Sequence, residues 1–245
     1  MRLKFLLFII TILIFNVKGL AQVTDSLSLV ENSRPKFKPK DLYFPVGLMV
    51  LGTASEIEIK NEVHRFRNKQ LPYFRYKFDD YLQFAPDAAT YGFEALGMKP
   101  RTDWKNRMAI HIKGHLFTLA TAHLMKNLIN NKRPNGARMS FPSGHTAYVF
   151  SGATILAMEY GENHPWVPYA SYATASVVGM MRIANNRHYI SDVLFGAGLG
   201  ILAMKLAYWT HKYKWNRPKT EKDDPFQGVV YNINPTDDTT IDEEN

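Results

Sequence analysis

Residues 141–160 read FPSGHTAYVFSGATILAMEY and join a turn to an apolar helical pattern. Proline, serine and glycine at positions 142–144 favour a turn that leads into the start of a helix. The free N–H groups and the dipole of a helix N-terminus favour an oxyanion. His145 follows directly. This stretch therefore predicts a histidine next to an anion-binding turn.

Helical patterns on both sides of this stretch predict an all-α domain. Long patterns cover about residues 105–131, 144–160, 166–184 and 189–212, and shorter apolar segments cover 43–54 and 86–98, the second with Pro86 at its start. Few segments alternate with period two, and β-branched residues do not cluster as in strands. The sequence predicts a single bundle of about five to six helices. Residues 56–85 mix charged and aromatic side chains, which favours an interface or a lid.

The two ends of the chain differ in composition from its centre. Arg2 and Lys4 precede an apolar run over residues 5–15, and small residues surround position 20. This arrangement is typical of a secretory signal peptide over residues 1–21, with cleavage after Ala21. Residues 22–42 are polar and indicate an arm, and residues 217–245 indicate an acidic, disordered tail. We therefore expect a helical domain over residues 43–216 in a protein exported to the periplasm or cell envelope of a bacterium.

The central region carries an excess of positive charge. The 245-residue chain has 30 Lys and Arg, 22 Asp and Glu, and no cysteine. Residues 22–216 contain 24 basic and 14 acidic residues, a net charge of +10. Such a region attracts nucleic acid, anionic membranes or phosphorylated compounds, and the expected export argues against nucleic acid. The lack of cysteine excludes a disulfide scaffold, a thiolate metal site and a cysteine nucleophile.

Composition favours contact with a membrane more than complete spans across it. Residues 166–181 and 193–204 are uncharged runs of 16 and 12 residues, and both are shorter than the ~20 residues that a span requires. Aromatic residues make up 13% of the chain, and Trp166, Trp209 and Trp215 lie near predicted helix ends, a position typical of membrane interfaces. We expect a globular bundle that lies on, or partly in, a membrane, with its oligomeric state left open.

Three short clusters of charged and histidine residues adjoin the apolar helical patterns. Lys126 and Arg133 are seven residues apart, so both project from one face if the helix continues to Pro134. The second cluster is the turn at 142–145. In the third, Arg182 precedes His188 and Asp192. The spacing of His188 and Asp192 lets a carboxylate hold one imidazole nitrogen and orient the other.

The combination resembles the three-part signature of the type 2 phosphatidic acid phosphatase and vanadium haloperoxidase superfamily. That signature reads Lys, six residues, Arg-Pro; then Pro-Ser-Gly-His; then Ser-Arg, five residues, His, three residues, Asp. The matching residues are Lys126, Arg133, Pro134, Pro142, Ser143, Gly144, His145, Arg182, His188 and Asp192. Met181 stands where the family has a serine that would donate to a phosphate oxygen. The resemblance implies the helical-bundle fold of this family.

The resemblance also implies a role for each matching side chain. His188 is expected to be the nucleophile that attacks phosphorus, with Asp192 fixing its tautomer, and His145 the general acid and base. The remaining residues are expected to bind the phosphoryl oxygens: Lys126, Arg133, Ser143, Gly144 and Arg182. No metal or other cofactor is expected, because three fixed cations can neutralise the developing charge.

The implied function is hydrolysis of phosphate from an envelope lipid of the lipid A, undecaprenyl diphosphate or phosphatidate type. One alternative is a soluble acid phosphatase of broad specificity. Another is a vanadate-dependent haloperoxidase with vanadate at the His188 position, which small size and export argue against. A protein that only binds lipid phosphate is the non-enzymatic alternative, although the intact His145, His188 and Asp192 argue against it.

A separate histidine pair, His111 and His115, has helical i, i+4 spacing. His123 lies eight residues further on, ~12 Å along a helix, too far to share a metal with them. No acidic residue lies between the two histidines or beside them in the sequence. The sequence therefore favours a polar helix face or structural hydrogen bonds over a metal site.

Overall fold

Helices dominate the part of the chain that the structure, a computed structural model, describes, namely residues 38–57 and 59–212. Eight α-helices lie in these ranges: α1 (Tyr43–Ser55), α2 (Lys60–Gln70), α3 (Phe78–Leu82), α4 (Ala85–Ala95), α5 (Trp104–Ile129), α6 (Gly144–Tyr160), α7 (Trp166–Ala184) and α8 (Ile190–Trp209). No strand occurs among the described residues, which confirms the all-α class. The helices outnumber the five to six expected because the segment 56–85 contains α2 and α3.

Local signals set the helix boundaries. The Asp103 side chain accepts hydrogen bonds from the first backbone N–H groups of α5, as an N-cap residue does. At the other end of α5, Asn130 adopts a left-handed conformation with φ of 47° and ends the helix. At the start of α8, the Asp192 carboxylate accepts from the backbone N–H of Tyr189 at 3.0 Å, in a capping box.

Helices α6 and α8 form the centre of the bundle, and most residues of both are buried. Helices α1, α5 and α7 pack around this pair. A Cβ atom at Gly200 would lie 2.1 Å from the carbonyl oxygen of Ala147, so only glycine allows the two backbones to approach this closely. Close packing of α6 on α8 brings the N-terminus of α6 against the first turn of α8, where the signature residues lie.

Helix α8 is the one helix in the described ranges that alone is long and apolar enough to cross a membrane. It has 20 residues and a mean hydropathy of 1.6, and 67% of its apolar window is buried inside the protein. The sequence pattern assigned only residues 193–204 to an uncharged run, because Asp192 and Lys205 flank it. The helix extends beyond both charged residues, and its burial is that of a core helix.

Several predicted segments lie outside the described residues. These are the signal peptide over 1–21, the arm up to residue 37, Trp215 and the acidic tail over 217–245. Their assignments stay predictions.

Candidate active site

The three sequence clusters meet where α5, α6 and α8 approach one another. The backbone N–H of Ser143 donates to the carbonyl oxygen of Asp192 at 3.0 Å. The Lys126 ammonium donates to the carbonyl oxygens of Pro142 at 2.6 Å and Met139 at 3.0 Å. These bonds join residues from all three clusters, so the tertiary structure brings them into one site.

His188 is held by Asp192 at the start of α8. The Nδ1 atom of His188 lies 3.2 Å from Oδ2 of Asp192, the contact that the spacing predicts. His188 precedes α8 rather than lying on it, so the contact depends on the helix start and not on a helical turn between the two residues. The same Asp192 oxygen also accepts from the hydroxyl of Ser140. With Nδ1 engaged, Nε2 is the nitrogen left for chemistry.

Burial keeps the His188 imidazole neutral. The side chain is 2% exposed. Burial lowers its pKa to about 4; the positive charges of Lys126 and Arg133 also lower it, while the hydrogen bond to Asp192 raises it. The neutral form, which carries the lone pair that a nucleophile needs, therefore predominates above about pH 4.

Lys126 and Arg133 reach the site from different elements. Helix α5 ends at Ile129, so Arg133 lies on the following loop and not on the helical face that the seven-residue spacing predicts. A turn positions Arg133: its carbonyl oxygen accepts from Gly136 N at 3.0 Å. The Nε atom of Arg133 is buried with no hydrogen-bond partner in the described structure. This guanidinium is therefore available to an anionic ligand.

The cations of the site lie close enough to perturb one another. Burial, together with the charges of Arg133 and Arg182, lowers the pKa of Lys126 to about 8, although the Asp192 carboxylate raises it. Burial also lowers the pKa of Arg133, with Arg182 as the next cause. Mutual repulsion among three cations is relieved when a polyanion binds between them.

Arg182, near the end of α7, binds two carboxylates that the sequence analysis missed. One of its terminal nitrogens donates to Asp79 Oδ2 at 2.6 Å and to Asp80 Oδ1 at 3.0 Å. Asp79 is buried and also accepts from the side-chain amide of Asn185 at 3.0 Å. Both acids lie on α3, in the mixed charged and aromatic segment. The sequence contains these two adjacent acids, but no sequence signal indicated which cation would bind them.

His145, the second residue of α6, faces the same acidic pair. Its Nε2 atom lies 3.1 Å from Oδ1 of Asp80. Burial and the charge of Arg182 lower the pKa of His145, whereas Asp80 and Asp79 raise it. His145 thus lies between a cation and an acid that act on its pKa in opposite directions.

Ser143 and Gly144 form the start of α6. The Ser143 side chain is buried, and its hydroxyl lies 2.9 Å from the hydroxyl of Thr146. A Cβ atom at Gly144 would lie 3.7 Å from Cε of Lys126, so this glycine adjoins the Lys126 side chain. Met181, at the expected serine position, is half-buried one residue before Arg182. All eight predicted site residues therefore lie at or beside one site, with Asp79, Asp80 and Ser140 in addition.

A separate group of three side chains in the described ranges has the composition and spacing of a metal site. It consists of Asp87, His111 and His115 and includes none of the signature residues.

A known protein family matches the region of the chain that contains these residues. Residues 97–216 match the family model of the PAP2 superfamily. The chain contains a PAP2 superfamily domain. This confirms the resemblance seen in the signature, and all eight predicted site residues lie inside the matched PAP2 region.

Two curated relatives are similar to part of the chain. A lipid A 1-phosphatase of Porphyromonas gingivalis is 34% identical over 163 residues, which cover 66% of this chain and 37% of that protein. A probable diacylglycerol pyrophosphate phosphatase of Schizosaccharomyces pombe is 25% identical, with 51% of this chain and 60% of that protein covered. The aligned part of the chain thus spans less than two thirds of the length of either relative.

Two solved structures are also similar to this chain. LpxE from Aquifex aeolicus aligns with a TM-score of 0.48 and 21% identity, covering 62% of this chain and 96% of that one. A transmembrane PAP2-type phosphatidylglycerolphosphate phosphatase from Bacillus subtilis aligns with a TM-score of 0.44 and 18% identity. The alignment covers 67% of this chain and 94% of that one.

Proposed function

We propose that this protein is a metal-independent phosphatase that removes phosphate from an envelope lipid through a phosphohistidine intermediate. The observation that carries the proposal is the contact of His188 Nδ1 with Asp192 at 3.2 Å. It leaves the Nε2 atom of a neutral imidazole available beside the cations Lys126 and Arg133, whose charges act on His188. A nucleophile among fixed cations is the arrangement that phosphoryl transfer requires.

In the first half-reaction, His188 Nε2 attacks the phosphorus atom while the bond from phosphorus to the lipid oxygen breaks. His145 donates a proton to the leaving oxygen. Asp192 stabilises the positive charge that develops on the His188 ring. The charge on the phosphoryl oxygens is neutralised by the predicted binding residues: Lys126, Arg133, Arg182, the Ser143 hydroxyl and the Gly144 N–H.

In the second half-reaction, His145 removes a proton from water. The water oxygen attacks phosphorus, and the bond from phosphorus to His188 Nε2 breaks. Inorganic phosphate leaves, and His188 returns to its neutral form. His145 thus acts as the acid in the first half-reaction and as the base in the second.

Exposed apolar surface supports a lipid substrate and contact with a membrane. Two helices that pack on α8 carry large apolar side chains that face outward: Tyr43, Val50 and Leu51 on α1, and Ile112, Leu116, Leu124 and Leu128 on α5. Extended apolar surface marks a membrane or partner site in a protein. Because the Porphyromonas gingivalis relative is a lipid A 1-phosphatase, we propose lipid A as the first substrate to test.

The test measures inorganic phosphate released by the purified full chain from four substrates in detergent micelles: lipid A, undecaprenyl diphosphate, phosphatidate and p-nitrophenyl phosphate. We expect release from lipid A above the others and undiminished activity after treatment with a chelator. Equal turnover of p-nitrophenyl phosphate would instead favour the soluble acid phosphatase of broad specificity. Oxidation of bromide on addition of vanadate would favour the haloperoxidase.

The matched variants are His188→Ala and His123→Ala. His123 is exposed on α5, so its loss should leave turnover unchanged. His188→Ala should retain its helical circular dichroism and lose phosphate release by roughly four to six decades, as nucleophile variants of covalent enzymes do. Turnover by His188→Ala at the wild-type rate would overturn the assignment. A deletion strain with unchanged lipid A and polyprenyl phosphate profiles would contradict the envelope-lipid substrate.

A further inference from the structure

A second polar cluster lies on α4 and α5, away from the phosphate site. Oδ1 of Asp87 is 3.1 Å from Nε2 of His111 and 3.0 Å from Nε2 of His115. His115 and Lys126 are separated along α5 by eleven residues, about 16 Å. The sequence placed no acid beside the histidine pair; α4 supplies one through the fold. The structural hydrogen bonds that the sequence favours for the two histidines are present. With Asp87, the two histidines form a set of three candidate metal ligands.

Tyr91 contacts the ring nitrogen of His111 that does not face Asp87. The Tyr91 hydroxyl lies 2.7 Å from Nδ1 of His111 and donates to the sulfur of Met108. This contact orients the His111 ring so that its Nε2 atom lies 3.1 Å from Oδ1 of Asp87. A metal ion between Nε2 and the carboxylate would take the place of the shared proton, and Nδ1–H would then donate to the Tyr91 oxygen.

One further atom of the cluster, Nδ1 of His115, is buried without a hydrogen-bond partner among the described residues. The Asp87 carboxylate also interacts with the Tyr148 hydroxyl. The three side chains are between 10% and 13% exposed, so an ion can enter from solvent and keep a water ligand. Their candidate ligand atoms all lie within 4.8 Å of one another, within reach of one ion at ~2.0–2.2 Å from each ligand after small side-chain rotations.

Helix α6 shapes the third side of the cluster. A Cβ atom at Gly152 would lie 2.4 Å from Oδ1 of Asp87, so glycine at this position makes room for the carboxylate. The Tyr148 ring, one turn earlier on α6, lies 4.3 Å from the His115 ring between centroids. The acid and its two histidines are thus enclosed by three helices.

We propose that Asp87, His111 and His115 bind a divalent transition metal of the zinc class and thereby clamp α4 to α5. Two imidazoles and one carboxylate suit Zn²⁺, whereas Mg²⁺ and Ca²⁺ prefer oxygen ligands. The hydrogen bond between His111 and Tyr91 is the type that orients metal-binding histidines. Because the cluster shares no residue with the phosphate site, the ion is a structural link and takes no part in phosphate release.

The test uses the full chain after removal of metals with a chelator. Zn²⁺ and Mg²⁺ are titrated separately by calorimetry, Co²⁺ is followed by its visible absorption, and the thermal midpoint is measured with and without each ion. We expect one Zn²⁺ to bind per chain, and we expect the Co²⁺ absorption to indicate a metal with a low coordination number. The thermal midpoint should rise with Zn²⁺ but not with Mg²⁺.

Variants separate this site from other metal-binding groups in the chain. Asp87→Asn and His111→Gln should lose the stoichiometric Zn²⁺, and Tyr91→Phe should weaken its binding by ~10–100-fold. His123→Gln, on the exposed face of the same helix, is the matched control and should bind as wild type does. Each midpoint shift is measured against the same variant without metal, so a loss of basal stability does not obscure the result.

A wild-type chain that binds no stoichiometric Zn²⁺, or an Asp87→Asn variant that binds it equally well, would overturn the proposal. If the Asp87→Asn and His111→Gln variants fail to fold, the Tyr91→Phe affinity and the wild-type Co²⁺ spectrum decide. Phosphate release by the metal-free protein is a separate measurement, so failure of this proposal leaves the proposed phosphatase untouched.

Discussion

Oδ1 of Asp80 lies 3.1 Å from Nε2 of His145 and 3.0 Å from a terminal nitrogen of Arg182. One carboxylate oxygen therefore bridges the proposed general acid and one of the cations proposed to bind phosphate. The Asp80 side chain is 44% exposed, unlike the neighbouring Asp79, which is buried. A phosphate oxygen that approaches Arg182 needs the same donor and competes with this carboxylate.

Asp80→Asn should lower KM and move the alkaline limb of the pH profile to lower pH. The amide keeps the size of the side chain but removes the charge that competes with phosphate. It also removes an acid that raises the pKa of His145. Steady-state kinetics over a range of pH measure both effects. Glu162→Gln, an exposed acid on the surface, is the control, and a variant with wild-type KM and pH profile would contradict this role for Asp80.

The wild-type protein should release phosphate with an acidic pH optimum. Burial lowers the pKa of His188 to about 4, so the neutral nucleophile forms, and activity rises, as pH increases through that value. Burial and Arg182 lower the pKa of His145 below its ordinary value of 6.5, so the acid loses its proton, and activity falls, at a pH below that of a free histidine. The pH dependence of kcat/KM reports these groups in the free enzyme. A maximum on the alkaline side of neutrality would contradict the assignment.

Arg133→Ala should reduce kcat by about two decades, the ~3 kcal/mol typical of one lost transition-state donor. The free energy of unfolding should change little, because the Nε atom of Arg133 has no hydrogen-bond partner in the described structure. Phosphate-release kinetics and urea unfolding measure the two effects. Arg138→Ala removes an exposed cation from the same loop and should have wild-type kinetics. Equal kcat values for Arg133→Ala and Arg138→Ala would contradict a role for Arg133 in stabilising the transition state.

Gly200→Ala should destabilise the bundle. The new methyl group would lie 2.1 Å from the Ala147 carbonyl oxygen and would force α6 and α8 apart, at a cost of ~1–3 kcal/mol in the free energy of unfolding. Gly92→Ala on α4 is the matched control. A Cβ atom there meets nothing within 4 Å, so the substitution should stabilise the helix by ~0.5–1 kcal/mol. Urea unfolding, monitored by circular dichroism, measures the free energy of unfolding of both variants. Equal stability of the two variants would contradict the close contact between α6 and α8.

Several helices were predictable from the sequence almost to the residue. The patterns at 144–160 and 166–184 coincide with α6 and α7, because apolar period, turn residues and the start of a helix are encoded locally. The sequence pattern placed the end of α5 too late, at residue 131. A left-handed Asn130 ends it earlier, and a seven-residue spacing cannot distinguish a helical face from a helix followed by a loop.

The acids that complete the site could not be predicted in the same way. Asp80 reaches Arg182 across 102 positions of the chain, and Ser140 reaches Asp192 across 52. No periodicity or cap joins residues so far apart. A family pattern such as the three-part signature can unite distant residues, but this signature contains neither Asp80 nor Ser140.

The sequence by itself determined the helices and the chemical groups of the signature, since both depend on neighbours within a few turns of the chain. The tertiary structure decided which acid meets which histidine. Asp192 holds His188 through the start of α8, Asp80 reaches His145 from α3, and Asp87 reaches His111 from α4. The physical reason is that hydrogen bonds and Coulomb interactions depend on distance in space, and helix packing sets that distance.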